Sequence, residues 1–172
     1  MALRTSRLAT AGYALSLVFL AALILGCTTV RLISDYDEAT DKALTALQQS
    51  TDDFITKLIA EAPSEKNAFD KQKDFYDDAD KQLRRLEFRV NSIPKNSQTI
   101  TLVKDIRAVL LGDGKCSTEG TSLKDLYCNP EGLARGPSKQ SLQVAQRNVN
   151  QTIAAALALE LAKKQGLESN KK

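Results

Sequence analysis

The chain has 172 residues, 42% hydrophobic, 5% aromatic and 26% charged, which fits a single domain of ordinary size and excludes both a disordered chain and a polytopic membrane protein. It holds no His, no Trp and one Met, so His-based acid–base catalysis, His-ligated metals and His or Met ligation of haem are excluded. The net charge of +3 falls to +1 when Arg4 and Arg7 leave with a leader, and a chain so balanced has no electrostatic footprint for nucleic acid.

The first 27 residues read as an address. Met1–Arg7 carries two arginines and no acid, Leu8–Leu25 is an uncharged, mostly apolar stretch of 18 residues, and the run closes on Ile24-Leu25-Gly26-Cys27. This resembles a bacterial lipoprotein signal peptide, with a basic n-region, an apolar h-region and an aliphatic-x-Gly-Cys lipobox. The resemblance implies cleavage after Gly26 and a lipidated, palmitate-bearing Cys27 as the mature N-terminus, although Leu25 is bulkier than the Ala or Ser common at its position. The alternative is a marginal transmembrane anchor. Thr28, not Asp, follows the cysteine, which favours the outer membrane over the inner, with the body facing the periplasm. Several acyl chains, at ~0.8 kcal/mol per methylene, hold a protein effectively permanently. On that reading the body needs no membrane-binding surface of its own. Residues 27–30 then form a short linker, 31–166 a helical domain and 167–172 a basic tail.

From Arg31 to Ala62, Ile33, Tyr36, Thr40, Ala43, Leu47, Phe54, Leu58 and Ala62 recur at steps of three or four, with a gap bridged by Ser50 or Thr51. Leu44, Ile55 and Ile59 widen the stripe, as a core-facing helix requires. The run Asp35-Tyr36-Asp37-Glu38 suits a helix start, with Tyr36 on the seam. Tyr36–Gln48, with Asp37, Asp41, Leu44 and Leu47, resembles the opening helix of small uncharacterised proteobacterial lipoproteins, a resemblance that implies no activity. Pro63 ends this helix and opens the next beside Ser64. The second helix carries Phe69, Tyr76, Ala79, Leu83, Leu86, Val90 and Ile93 on one face and ends at Pro94. The third starts at Asn96 or Ser97, either a credible cap, shows Ile100, Val103, Ile106 and Leu110 to the core, and ends at Gly112.

Gly112–Pro137 holds five of the eight glycines and two of the four prolines and reads as a loop. With Cys27 lipidated, Cys116 and Cys128 remain, both in this loop; in an oxidising envelope they predict a structural disulfide worth about 3 kcal/mol. Two free thiols or a redox pair are the alternatives, but the gap of eleven residues is not C-x-x-C. The fourth helix runs from Gly136-Pro137-Ser138 to Gly166, with Leu142, Ala145, Val149, Thr152, Ala156 and Leu159 as its seam.

No stretch alternates as a strand would, so the fold class is all-α. The first, second and fourth helices span about 48, 43 and 42 Å and the third only about 22 Å. Short connections predict an antiparallel up-down-up-down four-helix bundle with a disulfide-closed loop between helices three and four. Leu123, Leu126 and Tyr127 would plug the space left by the short third helix. A long helical hairpin closing its core by dimerisation is the alternative. Residues 31–62 carry a net −4 and residues 138–172 a net +4, so the first and last helices complement each other as neighbours or present two solvated faces.

Chemistry finds little to build on. Asp74, Asp77, Asp78, Glu38 and Asp41 make helical carboxylate pairs, but di-metal bundles need His beside Glu and Asp77 and Asp78 lie off the seam, so no metal site is expected. No Gly-x-Ser-x-Gly elbow or Ser-x-x-Lys helix start is present, and Gly112-Asp113-Gly114-Lys115 follows a helix rather than a strand. No catalytic residues and no cofactor are expected. The reading is a non-enzymatic envelope lipoprotein, a helical adaptor binding a protein partner, with Leu123, Leu126 and Tyr127 as candidate contacts on the loop at the membrane-distal tip. One alternative is a small-molecule or lipid-binding bundle, which needs an apolar cavity. Another is a peptidoglycan-linked structural lipoprotein, since Lys171-Lys172 resembles the C-terminal lysine attachment of the major murein lipoprotein. Lys163, Lys164, Lys171 and Lys172 are otherwise expected to graze anionic headgroups or pair with acids of the first helix.

Overall fold

The computed structural model describes residues 33–114 and 117–169, with side chains as far as residue 167. Cys27 and the apolar stretch before it, Cys116, and the lysines at 171 and 172 lie outside the described residues. Among the described residues the chain is all-helical, with five α-helices and two short 3-10 turns. None of these helices is long and apolar enough to cross a membrane.

Helix α1 spans Glu38–Glu61 and so starts later than the periodicity predicts. Asp37 sits in extended backbone, and its carboxylate accepts from the Thr40 amide at 2.9 Å and the Thr40 hydroxyl at 2.6 Å. A side chain that satisfies one of the orphan first-turn amides fixes where a helix begins, whatever apolar residues precede it. Tyr36 consequently lies ahead of the helix and off its seam, half-buried, with its hydroxyl donating to Asp41 at 2.8 Å. The buried line of α1 is Thr40, Leu44, Leu47, Thr51, Ile55 and Leu58, so Thr51 bridges the gap and the core draws on both predicted rows, with Ala43, Phe54, Ile59 and Ala62 only partly buried beside it.

Pro63 does not open the second helix. A cis Ala62–Pro63 bond leads to Ser64, which caps a 3-10 turn at Glu65–Asn67, and helix α2 follows at Phe69–Ser92. Tyr76, Ala79, Leu83, Leu86 and Val90 of α2 are buried, as its spacing predicts. Helix α3, Ser97–Leu111, buries Val103, Ile106 and Leu110 together with Thr99 and Leu111. The segment after it is not a plain loop: a 3-10 turn at Asp125–Tyr127 precedes helix α4, Pro130–Arg135, whose cap is Asn129. Helix α5, Lys139–Ser169, runs through Gly166 instead of stopping there.

The long helices pack α1 against α5, α5 against α3, α3 against α2 and α2 against α1. Their directions follow from what meets at each end. At one end the Ser34 amide donates to the Lys95 carbonyl between α2 and α3, while Lys163 near the end of α5 reaches Asn96 and Thr99. At the other, the Ser64 amide donates to the Arg135 carbonyl just before α5, and the Leu123 and Lys124 amides cap the Val109 and Leu110 carbonyls that end α3. The core between them is continuous from Leu44 and Val90 to Leu123 and Leu142.

Candidate functional site

At the Ser34 end the α5 seam turns polar. The predicted seam positions Thr152 and Leu159 are only half-buried; the buried line is Leu142, Ala145, Val149, Ile153, Ala156, Glu160 and Lys163. Lys163, expected at a headgroup or an acid of the first helix, is buried instead, and Glu160 beside it is 1% exposed. The Lys163 ammonium donates to Glu160 Oε1 at 2.7 Å, Thr99 Oγ1 at 2.7 Å and Asn96 Oδ1 at 2.9 Å, which uses all three of its protons. Thr99 in turn donates to Glu160 at 2.9 Å and Ser34 donates to Asn96 at 2.8 Å. Asn96 holds the cap position of α3 but does not cap it, its amide nitrogen donating to the Val90 carbonyl at 3.0 Å. These bonds tie α3, α5 and the segment before α1 together.

A second layer surrounds it. Arg89 of α2 grips Asp37 with two nitrogens, at 2.6 and 2.5 Å, and this guanidinium holds the Asp37 carboxyl down to about 2. Lys164 lies 5.6 Å over the Tyr36 ring. The hydrogen bond to Asp41 pushes the Tyr36 phenol up to about 12. Farther along α2, Arg107 of α3 binds Glu87 at 2.6 Å and Asp80 at 2.7 Å.

At the Pro63 end the segment between α3 and α4 is built into the molecule. Leu123 and Tyr127, expected as partner contacts, are 0% and 1% exposed, and Leu126 is partly buried. They fill the space above the short α3, where the Tyr127 ring sits 5.4 Å from Phe69 and 5.9 Å from Tyr76. These side chains offer a partner little surface; what faces outward is the covering around them. Burial raises both the Tyr76 and Tyr127 phenols, which keeps them protonated. Ser122 and Asp125 bond reciprocally, hydroxyl to carboxylate at 2.7 Å and amide to hydroxyl at 3.1 Å, and Asn129 accepts from the Gly132 amide at 2.7 Å. The Cys128 sulfur lies 3.9 Å from Asp125 Oδ1.

Two clefts open on this end. One of about 210 Å³ runs between Phe69, Lys124, Tyr127 and the half-exposed Leu133; the other, of about 280 Å³, lies between Pro63, Gly120, Leu126 and Pro137. A third, mostly apolar, of about 250 Å³, lies between α1 and α2 over Ala43, Leu47 and Leu86, with Arg85 and Arg89 at its rim. All fall below the roughly 300–1,000 Å³ usual for small-molecule sites. Among the described residues no group of three His, Cys, Asp or Glu side chains is placed to hold a metal ion.

The spacing of α2 and α3 made their cores legible, but it hid Glu160, Lys163 and Thr99, because a charged residue on a seam announces itself only through its partner on another helix. No family model, no curated protein and no solved structure matches this chain.

Proposed function

We propose that this chain is a non-enzymatic, lipid-anchored protein of the bacterial envelope, held through Cys27 at the periplasmic side of the outer membrane, and that it binds a protein partner with its Pro63 end. In this reading the four long helices form an antiparallel up-down-up-down bundle, and a Cys116–Cys128 disulfide closes the segment between α3 and α4. The order of helix packing and the meeting of alternate ends support the bundle. The lipobox supports the anchor, which the Ser34 end would then face.

One observation carries the partner-binding role: the Pro63 end is a platform shaped before any partner arrives. A reciprocal cap at Ser122–Asp125 and a one-way cap from the Gly132 amide to Asn129, with backbone bonds from Leu123, Lys124 and Ser64, hold 21 described residues of the 117–137 segment in place. Ordering a surface beforehand lowers the entropic cost of association. The shallow clefts favour a protein over a small molecule, since complementary side chains fill notches of this size.

A photoreactive residue at Leu133, 48% exposed on this end, is expected to give a discrete adduct in intact envelopes, whereas one at Leu161, 54% exposed near the other end, gives none. Equal adducts at both positions, or none at Leu133, would remove the tip from the proposal. Cys27→Ser is expected to leave the precursor uncleaved and abolish palmitate labelling; a wild-type chain that never takes the label ends the lipoprotein reading.

A further inference from the structure

We propose that the outer face of α2 at the Ser34 end, Phe88 with Lys81, Arg84 and Arg85, docks on an anionic phospholipid surface; this rests on the anchor reading above. Phe88 is 81% exposed, the most exposed of the large apolar side chains described. A single surface Phe is ordinary by itself. Its surroundings are not uniform, however. At 100° per residue, Asp70, Asp74, Asp77, Asp78, Lys81, Arg84, Arg85 and Phe88 share the face of α2 turned away from Tyr76, Leu83 and Leu86, and they are sorted along it. The half toward the Pro63 end is acidic, and the half toward the Ser34 end is basic and carries the aromatic ring.

Position fits the same partner. Six peptide links join Cys27 to Ile33 and reach at most about 21 Å. Ser34 is bonded to the Lys95 carbonyl and the Asn96 side chain, so the end of α2 stands beside the first described residues. Phe88 is then only about 10 Å farther along the helix from Lys95. An acylated Cys27 therefore brings Phe88 and the basic half within reach of headgroups and keeps the acidic half away. The pairs Lys81–Asp78 and Arg84–Asp80 do not oppose this, since Lys81 and Arg84 are 59% and 67% exposed and pairs so exposed are weak. A phosphate surface competes with them readily.

The other occupant with matching charge is a second copy. Two α2 faces laid antiparallel would match acid to base, but they would put the two Cys27 anchors at opposite ends; laid parallel they set like charge on like. One membrane holding both copies admits neither.

The chain has no Trp, so Phe88→Trp makes a single-site reporter. The full-length variant is reconstituted into vesicles of phosphatidylcholine alone or mixed with phosphatidylglycerol, each with and without brominated lipid, and vesicle flotation is followed in parallel. In anionic vesicles the indole emission of the Phe88→Trp chain is expected to shift to the blue and be quenched by bromine; a Val144→Trp reporter, on the second turn of α5 at the far end, is unaffected. Changing Arg84 and Arg85 together to Gln is expected to weaken the docked orientation about 25-fold, near fivefold per charge. A Phe88→Trp indole left unquenched in anionic vesicles overturns the proposal, and so does a blue shift that follows protein concentration without bromine quenching, which would mark a second copy. Flotation with neutral vesicles reads the anchor separately: a chain that floats without quenching keeps the anchor and loses the docking face. A chain that fails to float on neutral vesicles but is quenched on anionic ones does the reverse.

Discussion

Glu160 and Lys163 occupy the last two rungs of the α5 seam, where every earlier rung is Leu, Ala, Val or Ile. Removing one partner of a buried pair strands the other charge, a loss of about 3–5 kcal/mol, whereas replacing both by apolar residues of similar volume is often neutral or stabilising. Lys163→Met alone should therefore lower the urea midpoint sharply, and adding Glu160→Leu should recover most of it; a double variant no better than the single would show that the pair is not a coupled unit. Asp37 makes a separate, pH-dependent contribution. Arg89 holds its carboxyl at about 2 against an ordinary 3.8, so the stabilisation is complete above about pH 5 and is lost as pH falls toward 2. Because Arg89 is half-exposed, solvent screening keeps this contribution small. The stability gap between wild type and Arg89→Ala should thus be constant near neutrality and close between about pH 4 and 2, as read by denaturation at each pH. A gap that stays open at pH 2 would mean that Arg89 acts through packing alone. Neither pair was legible in the sequence. Steps from Leu142 and Val149 continue equally well to Thr152 and Leu159 or to Ile153 and Glu160, and the apolar Leu159 drew the seam away from the charged Glu160, whose partners Thr99 and, through Lys163, Asn96 belong to α3 and its cap position.

At the scale of elements, the seams of α2 and α3 could be read directly because those helices bury one continuous apolar stripe against two neighbours. The start of α1 and the 117–137 segment could not, since local caps and contacts between distant residues decide them. Gly136 shows the difference. Its φ of +75° lies in the left-handed region, and a Cβ there would sit 2.5 Å from the Asn67 Cβ and 2.6 Å from the Asn67 carbonyl oxygen. Asn67 is itself fixed, donating to the Leu58 carbonyl at 2.9 Å, so the neighbour cannot retreat. Gly136→Ala should cost about 2–3 kcal/mol. Gly166, which looked like a helix stop, lies inside α5 with nothing within 4 Å of its Cβ position, and Gly166→Ala should stabilise by about 0.5–1 kcal/mol. Thermal melts test each: a Gly136→Ala chain that melts no lower than wild type would show that Asn67 can give way at the α4–α5 junction, and a Gly166→Ala chain that melts lower would show that Gly166 is not an ordinary helix-interior position.

At the scale of the whole molecule, consecutive long helices pack in chain order and only α1 against α5 joins the beginning to the end. Opposite net charges on those two stretches suggested ion pairs across the joint. Among the described residues, Asp52 of α1 accepts from the neutral amides of Gln146 and Asn150, at 3.0 and 2.8 Å, Lys164 of α5 attracts Glu38 at longer range, and Asp37 pairs with α2. Charge there sets which faces are compatible, and burial of Leu44, Leu47, Ile153 and Ala156 holds them. The core thus reaches up to Leu123 and Tyr127 and stops, and the surface above them depends on the closed 116–128 loop in the proposed bundle. Replacing Cys116 and Cys128 together by Ser separates core from surface. The helices are secured by contacts that do not involve the cysteines, so far-UV circular dichroism should be unchanged, while stability falls by about 3 kcal/mol for a loop of this length. The Leu133 adduct should disappear with the shape of the platform. Loss of the helical signal would mean that the loop is needed to form the core at all, and a variant that keeps both fold and adduct would place the partner elsewhere on the molecule.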